Sequence, residues 1–342
     1  MSGGVDSSVA AALMKEAGHE VMGVTLKLWS RPGGKAPTAG CCTVSDAEDA
    51  RRVAAQLDIP YYVLDYTEEF HHGVVERFVS DYASGRTPNP CIECNRTVKF
   101  DRLLSRLDDF ECDVLVTGHH ARVRLVDEVW QLCRGADEAK DQSYVLSMLT
   151  PDQLARVRLP VGELTKAEVR AIAARLGMRT ADKPESMDIC FVGKGDYRGF
   201  LAGVAPESVS PGRVVDQAGA TLATHDGVAG FTIGQRRGLG VASGEPRYVI
   251  RIEHESATVV VGPRHSLRVE KVSLEGLTWT SPHRPPRRVM AQYRAHSQPV
   301  EARLDGSSLR FDQPQEAVAP GQTVAFYEDD RVLGGALVAA TA

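Results

Sequence analysis

The sequence predicts an α/β fold, a doubly wound parallel sheet followed by two small β-rich or β-barrel domains. Three observations carry this expectation. Through about residue 200, short apolar strand runs alternate with amphipathic helical segments, the pattern of parallel strands joined by crossover helices. Beyond about residue 205 the helical period disappears, and short strands are punctuated by Gly, Pro and Asp, as in sandwiches and barrels. The opening Ser2–Ser8, SGGVDSS, runs directly into a helix, the arrangement of a ligand-binding turn in an open α/β sheet.

Taken in order, Ser7–Ala17 reads as a helix with Val9, Leu13 and Ala17 on one face, and Val21–Leu28 as a strand. Ser45–Leu57 is helical, with a capping box from Ser45 to Glu48 and an apolar face of Val53, Ala54 and Leu57. Tyr61–Asp65 is strand-like, Thr67–Tyr82 and Asn95–Leu107 helical, Asp113–Thr117 a buried strand, and Thr165–Leu176 a further amphipathic helix. The β-rich half shows strands at Arg213–Asp216, Tyr248–Ile252, Thr258–Val261 and Val324–Tyr327. A break at Pro282–Pro286 divides that half in two, and the domains are placed at residues 1–203, 204–272 and 273–342.

The 342 residues suit two or three domains, and 43% hydrophobic with 25% charged residues are globular values that exclude a disordered, collagen-like or coiled-coil chain. No apolar run approaches the ~18 residues of a membrane span; the longest, Val332–Ala342, is too short. The N-terminus has neither the basic flank nor the apolar core of a signal peptide. Seven cysteines in such a chain point to a reducing cytoplasm and to thiol, ligand or redox roles rather than disulfides. A net charge of −5 argues against a generic nucleic-acid coat. Locally the balance reverses. Gly276–Val300 holds no Asp or Glu but has Arg284, Arg287, Arg288, Arg294, His283 and His296, and Arg236, Arg237, Arg247 and Arg251 cluster similarly, near Glu245 alone. Each group reads either as a solvated face or as a stripe that tracks phosphates.

Three features carry chemistry. In SGGVDSS the glycines let backbone approach an anion, the helix behind them offers free N–H groups, Ser2, Ser7 and Ser8 add hydroxyls, and Asp6 suits Mg²⁺ or a water. The loop has neither the lysine of a Walker motif nor GxGxxG spacing. In GRTPNPCIECN, Pro88 and Pro90 stiffen a loop that delivers Cys91 and Cys94 just before a helix, where a thiol pKa falls. The other reading of this pair is half of a zinc knuckle, but no second pair follows. Cys190 alone reads as a core residue, as do Cys112 and Cys133, and Cys41–Cys42 form a loop doublet with no assigned role. His71–His72 reads as solvated, whereas His119–His120 follows a glycine at a strand end, where ligands of open sheets bind.

SGGVDSS resembles the PP-loop of ATP pyrophosphatases. That superfamily places a strand ahead of the loop, and here Met1 alone precedes it. Together with VTLKLW at 24–29, GRTPNPCIECNRTVKF at 85–100, TGHHAR at 117–122, KDQSYVL at 140–146, ESMDICFV at 185–192, GFTIGQRRGLG at 230–240 and the late QYRAH and GQ segments, it resembles the bacterial tRNA-specific 2-thiouridylases, the MnmA family, along essentially the whole chain. The resemblance implies a PP-loop domain of the adenine nucleotide alpha hydrolase type. It also implies ATP- and Mg²⁺-dependent adenylation of the C2 oxygen of the wobble uridine, followed by its replacement with sulfur. By the same resemblance Cys94 is the nucleophile and Cys190 the persulfide carrier. Ser2, Gly3, Gly4, Val5, Asp6, Ser7, Ser8, Leu26 and Gly118 bind ATP. Asn89, Pro90 and Cys91 line the pocket of a flipped-out target base. His119, Lys140, Asp141, Gln142, Tyr293, Arg294 and Gln322 contact tRNA. The expected partners are tRNAs for Glu, Gln and Lys and an upstream sulfur donor, a relay protein or a cysteine desulfurase. Some family members carry Asp at the position of Cys91, so two mechanisms stay open. One is persulfide relay through a Cys94–Cys190 disulfide; the other is a 4Fe–4S cluster on Cys91, Cys94 and Cys190.

Overall fold

The computed structural model describes residues 1–30, 43–184, 189–192, 197–204, 211–241, 244–283 and 285–342. Cys41–Cys42, the first four residues of ESMDICFV and Arg284 lie outside the described residues.

Helix α1 (Val5–Glu16) starts at Gly4 with no side-chain cap and buries Val9, Ala10 and Ala12. Strands β1 (Gly23–Lys27) and β2 (Tyr61–Asp65) pair in parallel, with helix α2 (Val44–Gln56) crossing between them. The cap of α2 lies two residues earlier than the expected Ser45–Glu48 box. Thr43 Oγ1 accepts the Asp46 N–H at 3.1 Å, and the Asp46 carboxylate accepts the Thr43 N–H at 3.1 Å. Both pairs have the right spacing. Asp46 also receives Lys183 at 2.7 Å, and that tertiary contact favours the earlier box.

Helices α3 (Thr67–Phe70) and α4 (Glu76–Ala83) are joined by a π turn at His71–Val75. The expected helix at Asn95–Leu107 instead begins as α5 (Pro90–Glu93) and widens to π geometry over Cys94–Arg102. Strands β3 (Leu115–Val116) and β6 (Val157–Arg158) form a second parallel pair. The expected continuous sheet is therefore hydrogen-bonded as two two-stranded parallel pieces among the described residues. Met1 bridges their surroundings: its amine donates to Val24 O, its carbonyl accepts Thr25 Oγ1 at 2.6 Å, and its side chain shares an apolar cluster with Val116. Helices α6 (Pro151–Ala155), α7 (Lys166–Arg175) and α8 (Tyr197–Val204) complete this part.

Between β3 and β6 the chain makes a hairpin, β4 (Ala121–Val126) and β5 (Val129–Arg134), that leaves the parallel sheet. Strands β7 (Gly212–Val215), β8 (Thr221–His225), β9 (Tyr248–Glu253) and β10 (Thr258–Gly262) form a small sheet ordered β8-β7-β10-β9. The last six strands are β11 (Arg268–Trp279), β12 (Arg288–Gln292), β13 (Val300–Asp305), β14 (Ser308–Glu316), β15 (Thr323–Glu328) and β16 (Arg331–Thr341). They run β11-β14-β13-β12-β15-β16, and a β11–β16 pairing closes them into a barrel without free edges. The apolar tail at Val332 is β16, which pairs with β15 and β11. No described helix is long and apolar enough to cross a membrane.

The hairpin attaches to the barrel, a junction the sequence did not disclose. Arg331 on β16 pairs with Cys133 on β5, and the Arg134 guanidinium lies 3.8 Å over the Tyr327 ring. One apolar cluster contains Leu132, Tyr144, Leu146 and Leu149 together with Ala325, Tyr327 and Val332. Cys133 is itself a buried small hydrophobe, its thiol pKa pushed up by burial. Leu132 is fully buried, so Leu132→Ala should cost about 2–5 kcal/mol, lowering the denaturation midpoint clearly. Leu125→Ala, at an exposed position on β4, should change stability by less than about 0.5 kcal/mol; equal effects would contradict this assignment of the junction.

Candidate active site

The glycine loop is held by contacts that admit no side chain. Gly3 has φ +69°, and a Cβ there would sit 2.1 Å from Asp46 O. A Cβ on Gly118, at the end of β3, would sit 2.5 Å from the backbone of Asp6 and of Ser7. The strand end thus packs directly on the first turn of α1. Ser2 N donates to Ser7 Oγ at 3.0 Å, the Ser2 and Ser7 hydroxyls lie 3.1 Å apart, and Ser8 Oγ donates to Gly4 O at 2.8 Å. The result is a short hydroxyl-lined turn with uncapped helix N–H groups behind it, the constituents of an anion site.

Three residues complete this turn: His120 of the strand-end doublet, and two lysines that sequence reasoning missed. His120 Nε2 lies 3.0 Å from Asp6 Oδ1, and Lys166 Nζ donates to both Asp6 oxygens at 2.7 and 2.8 Å. Lys183 Nζ donates to Gly3 O, Asp46 and Asp49 at 3.0, 2.7 and 2.8 Å. Burial pushes the Asp6 pKa up, but the hydrogen bonds and charges of His120 and Lys166 outweigh it, so the carboxyl stays below its ordinary value. No local pattern marks either lysine, because each meets the loop from far along the chain. Of the doublet at the strand end, His120 is the member that touches Asp6.

His119 instead sits 2.8 Å from Thr117 Oγ1 and packs near the Phe100 ring. The expected tRNA-contacting segment behind it acts as a brace. Gln142 Oε1 accepts the His120 N–H at 2.9 Å, and Gln142 N donates to His120 O at 2.8 Å. The Asp141 carboxylate accepts from Gly135 N, Ser143 N, Ser143 Oγ and Arg134, all within 3.0 Å, so it is fully engaged inside the protein. Lys140 N donates to Asp137 O at 3.0 Å.

On the cysteine side, Asn89 Oδ1 caps α5, accepting from Cys91 N at 3.1 Å and Ile92 N at 3.4 Å, and Pro90 occupies the first helical position. This turn leaves Cys91 exposed and buries Cys94. Cys94 and the partly buried Cys190 belong to one apolar cluster with Phe70, Phe78 and Phe191, and Leu26 of β1 packs against the same cluster. Cys94 and Cys190 thus share one apolar cluster, while Cys91 is exposed about one helical turn before Cys94. Among the described residues, one compact trio of possible metal ligands exists, His71, His72 and Glu76, all exposed and none a cysteine.

Both β domains close on the approach to the cysteine turn. A Cβ on Gly85 would lie 2.4 Å from the His254 ring, and Thr87 N donates to Pro320 O at 2.8 Å. Gly321, at φ +85°, is pressed against Arg86 and Thr87, and Arg86 pairs with Asp81 and with Glu275 on β11. The three expected tRNA residues of the barrel support the turn that makes these contacts. Arg294 donates to Glu316 O and Ala317 O, Gln322 Oε1 accepts Ala319 N, and Tyr293 Oη donates to Gln315 Oε1.

Burial, with the nearby charges of Lys99 and His120, lowers the His119 pKa from 6.5 to about 3. The unfolded chain then binds the extra proton between those values. Stability from this group is full above pH 6.5 and is lost as pH falls toward 3. The His119 ring should show no NMR titration between about pH 8 and 5, and His119→Asn should flatten the acid side of the stability profile; a midpoint near the ordinary value would contradict burial of the ring.

Three family models cover the chain: the tRNA methyl transferase HUP domain over residues 1–194, the tRNA methyl transferase PRC-barrel domain over 198–263, and the aminomethyltransferase beta-barrel domain over 265–338. The tRNA-specific 2-thiouridylase MnmA of Roseiflexus castenholzii is 47% identical across 99% of this chain and 98% of its own. The enzyme of that name from Magnetococcus marinus is 45% identical across 98% and 96%, and that of Geobacter metallireducens 44% across 98% and 94%. A solved NMN synthetase from Francisella tularensis aligns with 60% of this chain and 71% of its own at 19% identity and a TM-score of 0.33, too slight a likeness to bear on function. The chain belongs to the tRNA-specific 2-thiouridylase (MnmA) family.

Proposed function

We propose that this chain uses ATP to replace the C2 oxygen of the wobble uridine of tRNA with sulfur. The observation that carries the reading is the presence, around one strand, of a hydroxyl-lined turn at Ser2–Ser8 and an apolar cluster that holds both Cys94 and Cys190. They lie on either side of β1: Thr25 donates to Met1 O beside the turn, while Leu26 packs on the cysteine cluster. A urea-like carbonyl oxygen is a very poor leaving group. Attack of that oxygen on the α-phosphorus of ATP expels pyrophosphate and converts it into AMP, a good leaving group. The terminal sulfur of a Cys190 persulfide then attacks C2 and AMP departs. The Cys94 thiolate attacks the Cys190 sulfur, forming a Cys94–Cys190 disulfide and releasing the thiolated base. An external thiol reductant restores both thiols.

Ser2–Ser8, Leu26 and Gly118 hold ATP in this scheme, and Asp6 is the carboxylate suited to Mg²⁺. Asn89, Pro90 and Cys91 face the target base, which must leave its stack to reach Cys94. Tyr293, Arg294 and Gln322 serve tRNA by holding the barrel turn against Thr87, and His119, Lys140, Asp141 and Gln142 by shaping the adjoining loop. Arg236 and Arg247 line an open depression of about 620 Å³ in the central domain, suited to backbone phosphates. The division into residues 1–203, 204–272 and 273–342, the tRNAs for Glu, Gln and Lys, an upstream sulfur donor and a cytoplasmic setting belong to the same proposal. Persulfide relay is the route taken in this proposal, supported by the apolar cluster that Cys94 and Cys190 share; a 4Fe–4S cluster on Cys91, Cys94 and Cys190 is the alternative that iron dependence tests. Methyl transfer, which the family-model descriptions name, would leave the thiol pair without a task.

Cys94→Ala and Cys190→Ala should each lower thiolation by roughly three orders of magnitude or more, while Cys190→Ala keeps tRNA-dependent pyrophosphate release from ATP. Cys91→Ser should stay within about threefold of the parent in iron-free enzyme. Pyrophosphate release that ignores tRNA, or an active protein that needs iron and Cys91, would overturn the respective part.

A further inference from the structure

We propose that Lys166 contacts the polyphosphate of the nucleotide, supplying the cation that SGGVDSS lacks. The inference rests on the reading of Ser2–Ser8 as the ATP site. A Walker loop carries its phosphate-binding lysine within the motif, whereas the one lysine of α1, Lys15, sits in the last turn and donates to Asp58 O. The fold fills the gap with a residue 160 positions away. Thr165 caps α7 through a capping box with Glu168, and Lys166 N donates to Asp137 Oδ2 at 2.9 Å, which pins the backbone at the base of the side chain. The ammonium then reaches both oxygens of Asp6, on the first turn of α1, at 2.7 and 2.8 Å, with the residue only 9% exposed.

Lys183 does not fill this role. An ammonium has three N–H donors, and those of Lys183 meet Gly3 O, Asp46 and Asp49. It is a positioning residue that holds the loop backbone against α2. Lys166 has a carboxylate partner beside the helix N-terminus where an anion would sit, and phosphate oxygens compete with that carboxylate for the same ammonium. Asp6 keeps the charge tolerable at a buried position before the nucleotide arrives. As pyrophosphate departs it carries the growing negative charge, and a compact cation there stabilises the leaving group in the adenylation step.

The test uses the full-length protein with tRNA and follows ATP-dependent turnover, with inorganic pyrophosphate and adenosine as competing probes. Loss of one charge-assisted contact predicts that Lys166→Gln raises the KM for ATP and the inhibition constant of pyrophosphate together, each by about 10- to 100-fold. Inhibition by adenosine should change by less than about twofold, since adenosine has no phosphate to meet Lys166. Lys166→Arg keeps a charge beside Asp6 and should restore much of both phosphate-dependent constants. Unchanged pyrophosphate inhibition in Lys166→Gln overturns the proposal, as does equal weakening of pyrophosphate and adenosine, which would mark a purely structural role. If the parent protein itself is insensitive to pyrophosphate and needs no ATP, the reading of the loop fails first.

Discussion

A carboxylate that is drawn partly out of water must find charge and hydrogen-bond partners or lose its proton-free form. Asp6 meets that constraint in a way that organises everything around it. Its oxygens take Lys166 from α7 and His120 from the loop after β3, so one side chain ties together segments at positions 6, 120 and 166. The same closure requires Gly118, because any larger residue would collide with the backbone of Asp6 and Ser7. Lys183 fixes the other flank by joining Gly3 to α2. The glycine turn carries its own serine hydrogen bonds, and neighbours that balance charge fix it against the rest of the fold.

From His120 the order spreads outward. Its backbone is clasped by Gln142, the next residue Asp141 is saturated by four donors, and one of these, Arg134, lies on the Tyr327 ring of the barrel. The barrel meets the catalytic half a second time, where the Pro320–Gly321 turn holds Thr87 ahead of the cysteine turn. A single closed barrel therefore touches both the side of the site that carries the anion turn and the side that carries the thiols.

Several local signals were legible. The strand–helix alternation, the β-rich second half, the glycine turn and the proline-stiffened CxxC loop all follow from side-chain period and from what Gly and Pro do to backbone. Where two capping boxes have the right spacing, the sequence reading takes Ser45–Glu48 and the structure uses Thr43–Asp46; of the His119–His120 doublet, which the sequence reading leaves undivided at the strand end, the structure sets His120 on Asp6. In both cases a partner from far along the chain, Lys183 or Asp6, decides the matter.

The sequence by itself determined the fold class and marked the glycine turn and the CxxC loop, because each depends on residues within a few positions of one another; Cys190, local to neither, was singled out only by the family resemblance. Only the tertiary structure decided that Cys94 and Cys190 share an apolar cluster, that Asp141 faces inward, that Arg294 and Gln322 brace a turn, and that a hairpin of the first half joins the last barrel. Burial and charge pairing between distant segments set those outcomes, and no local pattern encodes them.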